Sequence, residues 1–401
     1  MTGKRPYRTV HSPRHLTVQF SAQCPRNLTD GLGCFPGTDK IDFCLSGLKS
    51  ILLNSFFVKI QKFIYAPRSG KRIALFHSKI EMKENHPKER CGIVLAGAKD
   101  NRLGAFIHYL RGCAVPKQYI NFIGTRSMVE HTLDRAERLV QRGCLYTVVT
   151  REHLAHAEVQ RQLAARPRDT VLVQPDDLGS GPALLLPLAH IHRHRPQSAL
   201  ALFPADHFIV EENLFMTQVG AAFYMVEKNP TDIVVLGVEP ESAEADCAYI
   251  MTDGEAELAW SGARNVRLLV ENPGAAEARE LAGSGLWNTM TMVFTADTAV
   301  HLIRRFAPEL YRAFCEIESA LGTRAEGSVV ERAYRRLQPS SFTRDVLQKC
   351  ALLRPARIRA LPVAGVYWSD WASEERLVDS LKKTGYFDRL KKTAADRAQL
   401  G

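Results

Sequence analysis

The sequence lacks the patterns that define several classes of protein. Its nine cysteines form no Cys-x-x-Cys pair and no Cys/His cluster at zinc spacing, which favours free thiols in a reducing compartment, the cytoplasm. The apolar stretch from Ile51 to Tyr65 is short and is interrupted by Lys59 and Lys62. It is therefore not a membrane span. No Ser/His/Asp or Cys/His arrangement indicates a nucleophilic hydrolase.

Most of the chain also lacks net charge. Residues 1–90 hold 16 Lys and Arg against 6 Asp and Glu, which accounts for the whole formal net charge of +10. The remainder of the 401 residues carries equal numbers of acidic and basic side chains. The basic balance therefore gives no indication that the main part of the chain binds nucleic acid.

Residues 1–81 differ from the rest of the chain. The first fifty positions are rich in Pro, Gly, Ser, Thr and Arg and show no helix or strand periodicity. We predict a basic disordered extension or a misassigned translation start, since Met82 begins an ordinary N-terminal sequence. Residues 51–65 leave open a basic helix lying on a membrane surface. A single domain is predicted over residues 88–390.

From Cys91 onward, strand and helix patterns alternate. Apolar runs predict strands at residues 93–95, 145–149, 170–173, 199–203 and 233–238, with helices between them and later strands at 267–270, 286–294 and 358–366. Successive βα units predict an α/β fold with a Rossmann-like, mostly parallel sheet covered by helices on both faces. Ligands bind beyond the carboxyl ends of such strands, where Gly97, Gln174 and Asp206 lie.

The loop after the first strand is a candidate phosphate site. Leu95, Ala96, Gly97 and Ala98 form a small-residue turn, and Arg102 and Lys117 follow it. Free backbone N–H groups and cations bind polyphosphates, although an ordinary strand-to-helix turn has the same appearance. Asp206 at a strand end is of the type that holds Mg²⁺, or that caps the next turn.

An ordered series of motifs carries a resemblance to a known family. The motifs are LAGAKDNRL at 95–103, PKQY at 116–119, QPDDLGSGPA at 174–183, PADH at 204–207, ENP at 271–273, WN at 287–288 and WSDWASEERL at 368–377. The chain resembles the sugar-1-phosphate nucleotidyltransferases over about residues 91–381, in particular the bacterial mannose-1-phosphate guanylyltransferases.

The resemblance implies the nucleotide-diphospho-sugar transferase fold and a reaction. A nucleotidyl group passes from a nucleoside triphosphate, GTP in the most similar enzymes, to a sugar-1-phosphate such as mannose-1-phosphate. The products are an NDP-sugar, here GDP-mannose, and pyrophosphate, and the cofactor is Mg²⁺. The implied catalytic residues are Arg102, Lys117 and Asp206; the metal ligands are Asp206 and Asp370; the nucleotide-binding residues are Leu95, Ala96, Gly97, Ala98, Gln174, Gly181 and Pro182; the sugar-binding residues are Ala248, Glu271 and Asn288.

The sequence departs from the family pattern at several positions. Ala98 and Asp100 replace two loop glycines, Asn272 replaces a lysine expected at the sugar phosphate, and Ala248 replaces a glycine. Lys99 is expected to offset the charge of Asp100. These departures leave open two alternatives to an active nucleotidyltransferase. One is a catalytically weakened regulatory protein that binds nucleotide or NDP-sugar, and the other is a different α/β enzyme. The sequence is compatible with a homodimer and does not fix the oligomeric state.

Overall fold

The computed structural model describes residues 89–99, 102–112, 114–254 and 262–388, and four short strands before them. The chain divides into two compact units, Met1–Pro87 and Lys88–Gly401. In the first unit, β1 (Ile51–Leu53) pairs with β2 (Phe56–Val58), and β3 (Ile64–Tyr65) pairs with β4 (Ala74–Leu75), both antiparallel. These segments are extended, unlike the membrane-surface helix left open above. The rest of the predicted disordered extension lies outside the described residues.

The second unit alternates strands and helices. Its strands are β5 (Cys91–Leu95), β6 (Leu145–Thr150), β7 (Val171–Gln174), β8 (Ala199–Pro204), β9 (Phe208–Ile209), β10 (Ile233–Val238), β11 (Tyr249–Thr252), β12 (Arg264–Val270), β13 (Leu286–Thr295), β14 (Ile358–Pro362) and β15 (Trp368–Ser369). Its α-helices are α1 (Gly104–Arg111), α2 (Met128–Ala136), α3 (Ala157–Leu163), α4 (Ser180–His194), α5 (Glu212–Lys228), α6 (Ala275–Ala282), α7 (Ala296–Phe306), α8 (Pro308–Ala320), α9 (Glu326–Arg336), α10 (Gln348–Ala351) and α11 (Glu374–Lys383). No helix among the described residues is long and apolar enough to cross a bilayer.

Nine strands form one mixed sheet in the order β10-β14-β12-β11-β13-β8-β5-β6-β7. The predicted parallel pairing holds for β8-β5-β6-β7. The prediction of a mostly parallel sheet is wrong beyond β8, because β13 runs antiparallel between β8 and β10. Apolar runs mark a strand without marking its direction, which pairing with distant neighbours decides.

The mixed half of the sheet, in which β10 and β14 are parallel and the other pairs antiparallel, closes on itself. β10 pairs with both β13 and β14, while β12 joins β14 to β11 and β11 joins back to β13. These five strands form a circuit of backbone pairings. The predicted strand over 358–366 ends at Pro362, and a separate strand, β15, pairs with β9 and leads into Asp370.

Because crossovers between parallel strands are almost always right-handed, the connections of the parallel half imply helices on both of its faces. The connection from β5 through α2 to β6 runs in one direction across the sheet, and the connection from β7 through α4 to β8 runs back. Right-handed crossovers of opposite direction lie on opposite faces, so α2 and α4 cover different faces of the sheet. The carboxyl ends of β5, β7 and β8 therefore share one edge, where the predicted site residues lie.

Candidate active site

The loop that follows β5 is held in place by hydrogen bonds that its backbone carbonyl groups accept. The Gln118 side-chain amide donates to the Ala96 carbonyl at 2.7 Å and to the Ala98 carbonyl at 3.1 Å. The Thr150 hydroxyl donates to the Gly97 carbonyl at 2.8 Å. Three consecutive carbonyls are thus bonded to the protein, which fixes the path of the loop at the strand end.

Gly97 lies against the side chain of Gln174 at the end of β7. A Cβ atom at position 97 would lie 2.6 Å from Gln174 Nε2, closer than van der Waals contact allows. Gln174 is fully buried, and neither atom of its amide has a hydrogen-bond partner in the described part of the chain. A buried amide without a partner is rare, and it is the kind of group that a ligand completes.

Lys99 ties the same loop to the segment after β7. Its ammonium lies 2.8 Å from Asp176 Oδ1 and 2.8 Å from Glu152 Oε2, and its backbone N–H donates to Asp177 at 2.8 Å. Hydrogen bonds to Asp176 and then Glu152 raise the pKa of Lys99. The expected partner, Asp100, lies outside the described residues, and the ammonium is instead engaged by these two carboxylates.

Lys117 joins the two predicted metal ligands. Its ammonium lies 2.9 Å from Asp206 Oδ2 and donates to the Asp370 carbonyl at 2.9 Å. Lys117 is 1% exposed, whereas the Asp206 side chain is 26% exposed. The three residues come from a 3₁₀ turn after α1, from the end of β8 and from the end of β15, and the fold brings them together.

The donors at this point suit a hard divalent cation. Asp206 contributes a carboxylate beside the Lys117 ammonium, and the same ammonium holds the backbone carbonyl of Asp370, whose side chain is 20% exposed. Partly open carboxylate oxygens are the ligands that Mg²⁺ takes while keeping places for water and phosphate. No cluster of three or more His, Cys, Asp or Glu occurs among the described residues, so any cation here would rely on these two side chains and its other ligands.

His207 supports Asp206 from the neighbouring position. The Trp368 indole donates to His207 Nδ1 at 3.3 Å, and His207 Nε2 lies 3.9 Å from Asp206 Oδ1. Burial lowers the pKa of His207, against the opposing effect of Asp206. A neutral imidazole that accepts from Trp368 at Nδ1 carries its proton on Nε2, the nitrogen nearer Asp206.

Arg376 is a residue of this cluster that the sequence did not single out. It lies in the first turn of α11, and its Nη2 is 3.0 Å from Asp370 Oδ1. Burial alone lowers its pKa, but Asp370 and Cys247 outweigh this and the pKa of Arg376 is raised. The sequence does carry a sign of this residue, because Arg376 follows Asp370 by six positions in the same motif.

The predicted sugar residues Ala248 and Asn288 lie side by side. The Asn288 backbone N–H donates to the Ala248 carbonyl at 2.7 Å, and Asn288 Oδ1 accepts from the Met290 N–H at 2.9 Å. Met290 has φ of +54°, a left-handed conformation that a branched or long side chain rarely adopts. Asn288 thus stabilises an irregularity in β13 at which the register with β10 shifts.

Glu271 and Gly181 meet a different segment, which we name the strap, Ser340–Phe342, and Pro182 meets the helix α9 that precedes it. The Ser341 hydroxyl donates to Glu271 at 2.9 Å, and the Gly181 N–H donates to the Ser340 carbonyl at 3.0 Å. The Pro182 carbonyl accepts from Tyr334 at 2.8 Å. The start of α4 and the end of β12 are therefore connected through the strap.

The predicted residues other than Arg102 fall into four groups, one of which is the pair of Ala248 and Asn288 described above. The loop residues pack with Gln174, and the Ala205 N–H donates to the Leu95 carbonyl at 3.1 Å, which joins this group to the strand end of Asp206. Lys117, Asp206 and Asp370 form the second group, and the strap holds Glu271 and Gly181 in the third. Arg102 is exposed in the turn before α1.

Comparison with known proteins shows the family to which this chain belongs. The family model described as nucleotidyl transferase matches residues 91–382. The chain therefore belongs to the nucleotidyl transferase family, and the family predicted from the motifs is confirmed.

Individual relatives are more distant. Xanthan biosynthesis protein XanB of Xanthomonas campestris pv. campestris (strain B100) is 25% identical over 299 residues, covering 73% of this chain and 60% of the relative. Mannose-1-phosphate guanylyltransferase 2 of Escherichia coli O157:H7 is 26% identical over 307 residues, with the same coverage. The chain thus spans about 60% of the length of these curated relatives.

Two solved structures share the fold. Mannose-1-phosphate geranyltransferase from Thermus thermophilus superposes with a TM-score of 0.61 at 22% identity, covering 73% of this chain and 79% of that chain. Mannose-6-phosphate isomerase from Helicobacter pylori superposes with a TM-score of 0.54 at 16% identity, covering 70% of this chain and 99% of that chain. At these identities the likeness shows the fold alone.

Proposed function

We propose that this protein transfers a nucleotidyl group from a nucleoside triphosphate to a sugar-1-phosphate, giving an NDP-sugar and pyrophosphate. The contact of Lys117 with Asp206 and Asp370, beside the loop after β5, carries the proposal. GTP and mannose-1-phosphate are the proposed substrates, since a relative named mannose-1-phosphate guanylyltransferase 2 matches over 73% of this chain. The product is then GDP-mannose.

The reaction requires little covalent chemistry from the protein's own side chains. The attacking sugar phosphate has a second pKa near 6, so it is mostly a dianion at pH 7 and needs no general base. The protein must hold two anions in line and stabilise charge on the departing pyrophosphate. Lys117 supplies a fixed positive charge for this purpose, and Arg102 supplies a second from the exposed turn. Asp206 and Asp370 would hold Mg²⁺, which neutralises phosphate charge when bound.

The amide of Gln174 supports a base-binding role for the neighbouring loop. Its oxygen and nitrogen are buried without partners in the described residues and lie against Gly97. An acceptor and a donor on one planar group match the edge of a nucleobase. On this proposal, the bound nucleotide completes the hydrogen bonds that the protein leaves unmade.

The first test is pyrophosphate release by the full chain with Mg²⁺, GTP and mannose-1-phosphate. We expect release that requires both substrates and that falls at least about 100-fold in Asp206→Asn, since one fixed electrostatic group contributes about that much. Arg312→Ala, in an exposed pair with Glu309, is the matched control and should keep wild-type activity. Well-folded protein that releases no pyrophosphate with any common pair of substrates would contradict the proposal.

A second test concerns the contact between Gly97 and Gln174. We expect Gly97→Ala to push the Gln174 amide out of place and to weaken nucleotide binding about 10-fold, because overpacking of a tight contact costs about 1–3 kcal/mol. Gly143→Ala is the control, since nothing lies within 4 Å of a Cβ at that position. Titration calorimetry with GTP measures both variants, and equal affinities would contradict the role of the contact.

The altered loop favours a second candidate function, a catalytically weakened protein that binds nucleotide or NDP-sugar. Ala98 and Asp100 stand where the family has glycines, and a Cβ hinders close backbone approach to phosphate. The variant Ala98→Gly with Asp100→Gly and Asn272→Lys separates the two candidates. A large rise in turnover indicates an impaired enzyme, whereas tight GTP binding with unchanged, negligible turnover indicates a sensor.

A further inference from the structure

Arg376 occupies the space between the predicted metal and sugar residues. Its Nη1 donates to Cys247 Sγ at 3.0 Å, and its guanidinium carbon lies 5.5 Å from the centre of the Trp287 ring. Cys247 directly precedes Ala248, and Trp287 directly precedes Asn288. Together with its pair to Asp370, these contacts place one cation at the junction of the two groups.

The guanidinium retains capacity to bind an anion. It has five N–H donors, and its contacts with Asp370 and Cys247 in the described residues use one donor on each terminal nitrogen. The Arg376 side chain is 15% exposed and the Asp370 side chain 20%, so solvent and small anions reach this point. Planar guanidinium groups suit phosphate oxygens, to which they donate in pairs.

The contact with Cys247 is a weak one that phosphate can replace. Burial raises the pKa of Cys247 to about 12, so the sulfur is a neutral thiol at pH 7 and a poor acceptor. A phosphate oxygen is a much stronger acceptor than a thiol. When a phosphate oxygen replaces the Cys247 sulfur, the ion pair between Arg376 and Asp370 stays in place.

We propose that Arg376 binds the phosphate of the sugar-1-phosphate, releasing Cys247 and keeping its contact with Asp370. The inference rests on the proposed function. It gives the sugar phosphate a cation, which the ENP motif does not supply because Asn272 stands where a lysine was expected.

The test uses the full chain and the variants Arg376→Ala and Arg376→Lys, with Lys383→Ala on the same helix as the control. Lys383 forms an exposed pair with Glu241 and lies outside the proposed site. We expect Arg376→Ala to raise KM for mannose-1-phosphate at least about 10-fold, the value of a lost charged hydrogen bond, and to leave KM for GTP within about twofold. Arg376→Lys should recover part of the loss and Lys383→Ala should behave as wild type.

Titration calorimetry with mannose-1-phosphate alone, in the absence of GTP, separates this inference from the proposed function. Binding by the wild type that is lost in Arg376→Ala supports the inference even if no pyrophosphate is released. Turnover by the wild type with unchanged affinity for mannose-1-phosphate in Arg376→Ala overturns the inference and leaves the function standing. Equal losses for GTP and mannose-1-phosphate, or unfolding of both Arg376 variants by circular dichroism, also overturn it.

Discussion

Replacement of Lys117 by methionine is expected to lower turnover strongly and to destabilise the fold. The side chain keeps its length, but Asp206 and the Asp370 carbonyl lose the ammonium that contacts both at 2.9 Å. A carboxylate left without its buried partner costs about 3 kcal/mol of folding free energy, and loss of the charge lowers turnover at least about 100-fold. Chemical denaturation and pyrophosphate release measure the two effects separately.

The double variant Lys117→Met with Asp206→Asn is the matched control for stability. It removes the negative charge of Asp206 along with the cation, so the free energy of unfolding should return most of the way to the wild-type value. Turnover should remain at least about 100-fold below the wild type, because both charges are needed for the chemistry. A double variant as unstable as Lys117→Met would show that packing of the lysine stem, rather than charge pairing, holds this region together.

Substitution of Gly179 by alanine is expected to cost about 4 kcal/mol of folding free energy. Gly179 precedes α4 with φ of +88° and ψ of −179°, a conformation confined almost entirely to glycine and worth about 1–3 kcal/mol of strain. A Cβ there would also lie 2.6 Å from the backbone carbonyl of Ser340, which cannot move as a side-chain end does. Ser340 begins the strap and accepts a hydrogen bond from Gly181, a predicted nucleotide-binding residue. The affinity for GTP should therefore fall together with the folding free energy.

Gly124→Ala separates the two contributions at Gly179. Gly124 also has a positive φ, +71°, but nothing lies within 4 Å of a Cβ built on it. Its substitution should cost only the backbone strain of a left-handed conformation, about 1–2 kcal/mol of folding free energy, and leave the affinity for GTP unchanged. Equal losses of stability in the two variants would mean that the strap moves aside freely and that the close approach to Ser340 is unimportant.

The local parts of this fold could be predicted from the sequence. The apolar run of β5 and the small residues after it predict a strand that ends in a tight loop, because both depend on neighbouring residues alone. The apolar run of β13 predicts a strand equally well, but its direction depends on pairing with β8 and β10, which lie far away in the sequence. The mixed character of the sheet was therefore beyond a pattern-based prediction.

The candidate site could likewise be predicted from the sequence only in part. Asp206 and Asp370 could be named from their motifs, and the structure supplies the contact with Lys117 that joins them. Arg376 could not be named, because its role depends on Cys247 and Trp287 across the fold. A charge in the first turn of a helix is normally solvated, and only packing reveals that this one faces inward.

The circuit of five strands has a consequence for biosynthesis. β14 pairs with β10 and β12, both of which leave the ribosome well before it does. Until Ile358–Pro362 emerges, those two strands each carry an open edge of unpaired backbone groups, the feature from which strand-to-strand aggregation begins. The nascent chain is thus most exposed to misassembly late in translation, and a chaperone acting at that stage would protect it most.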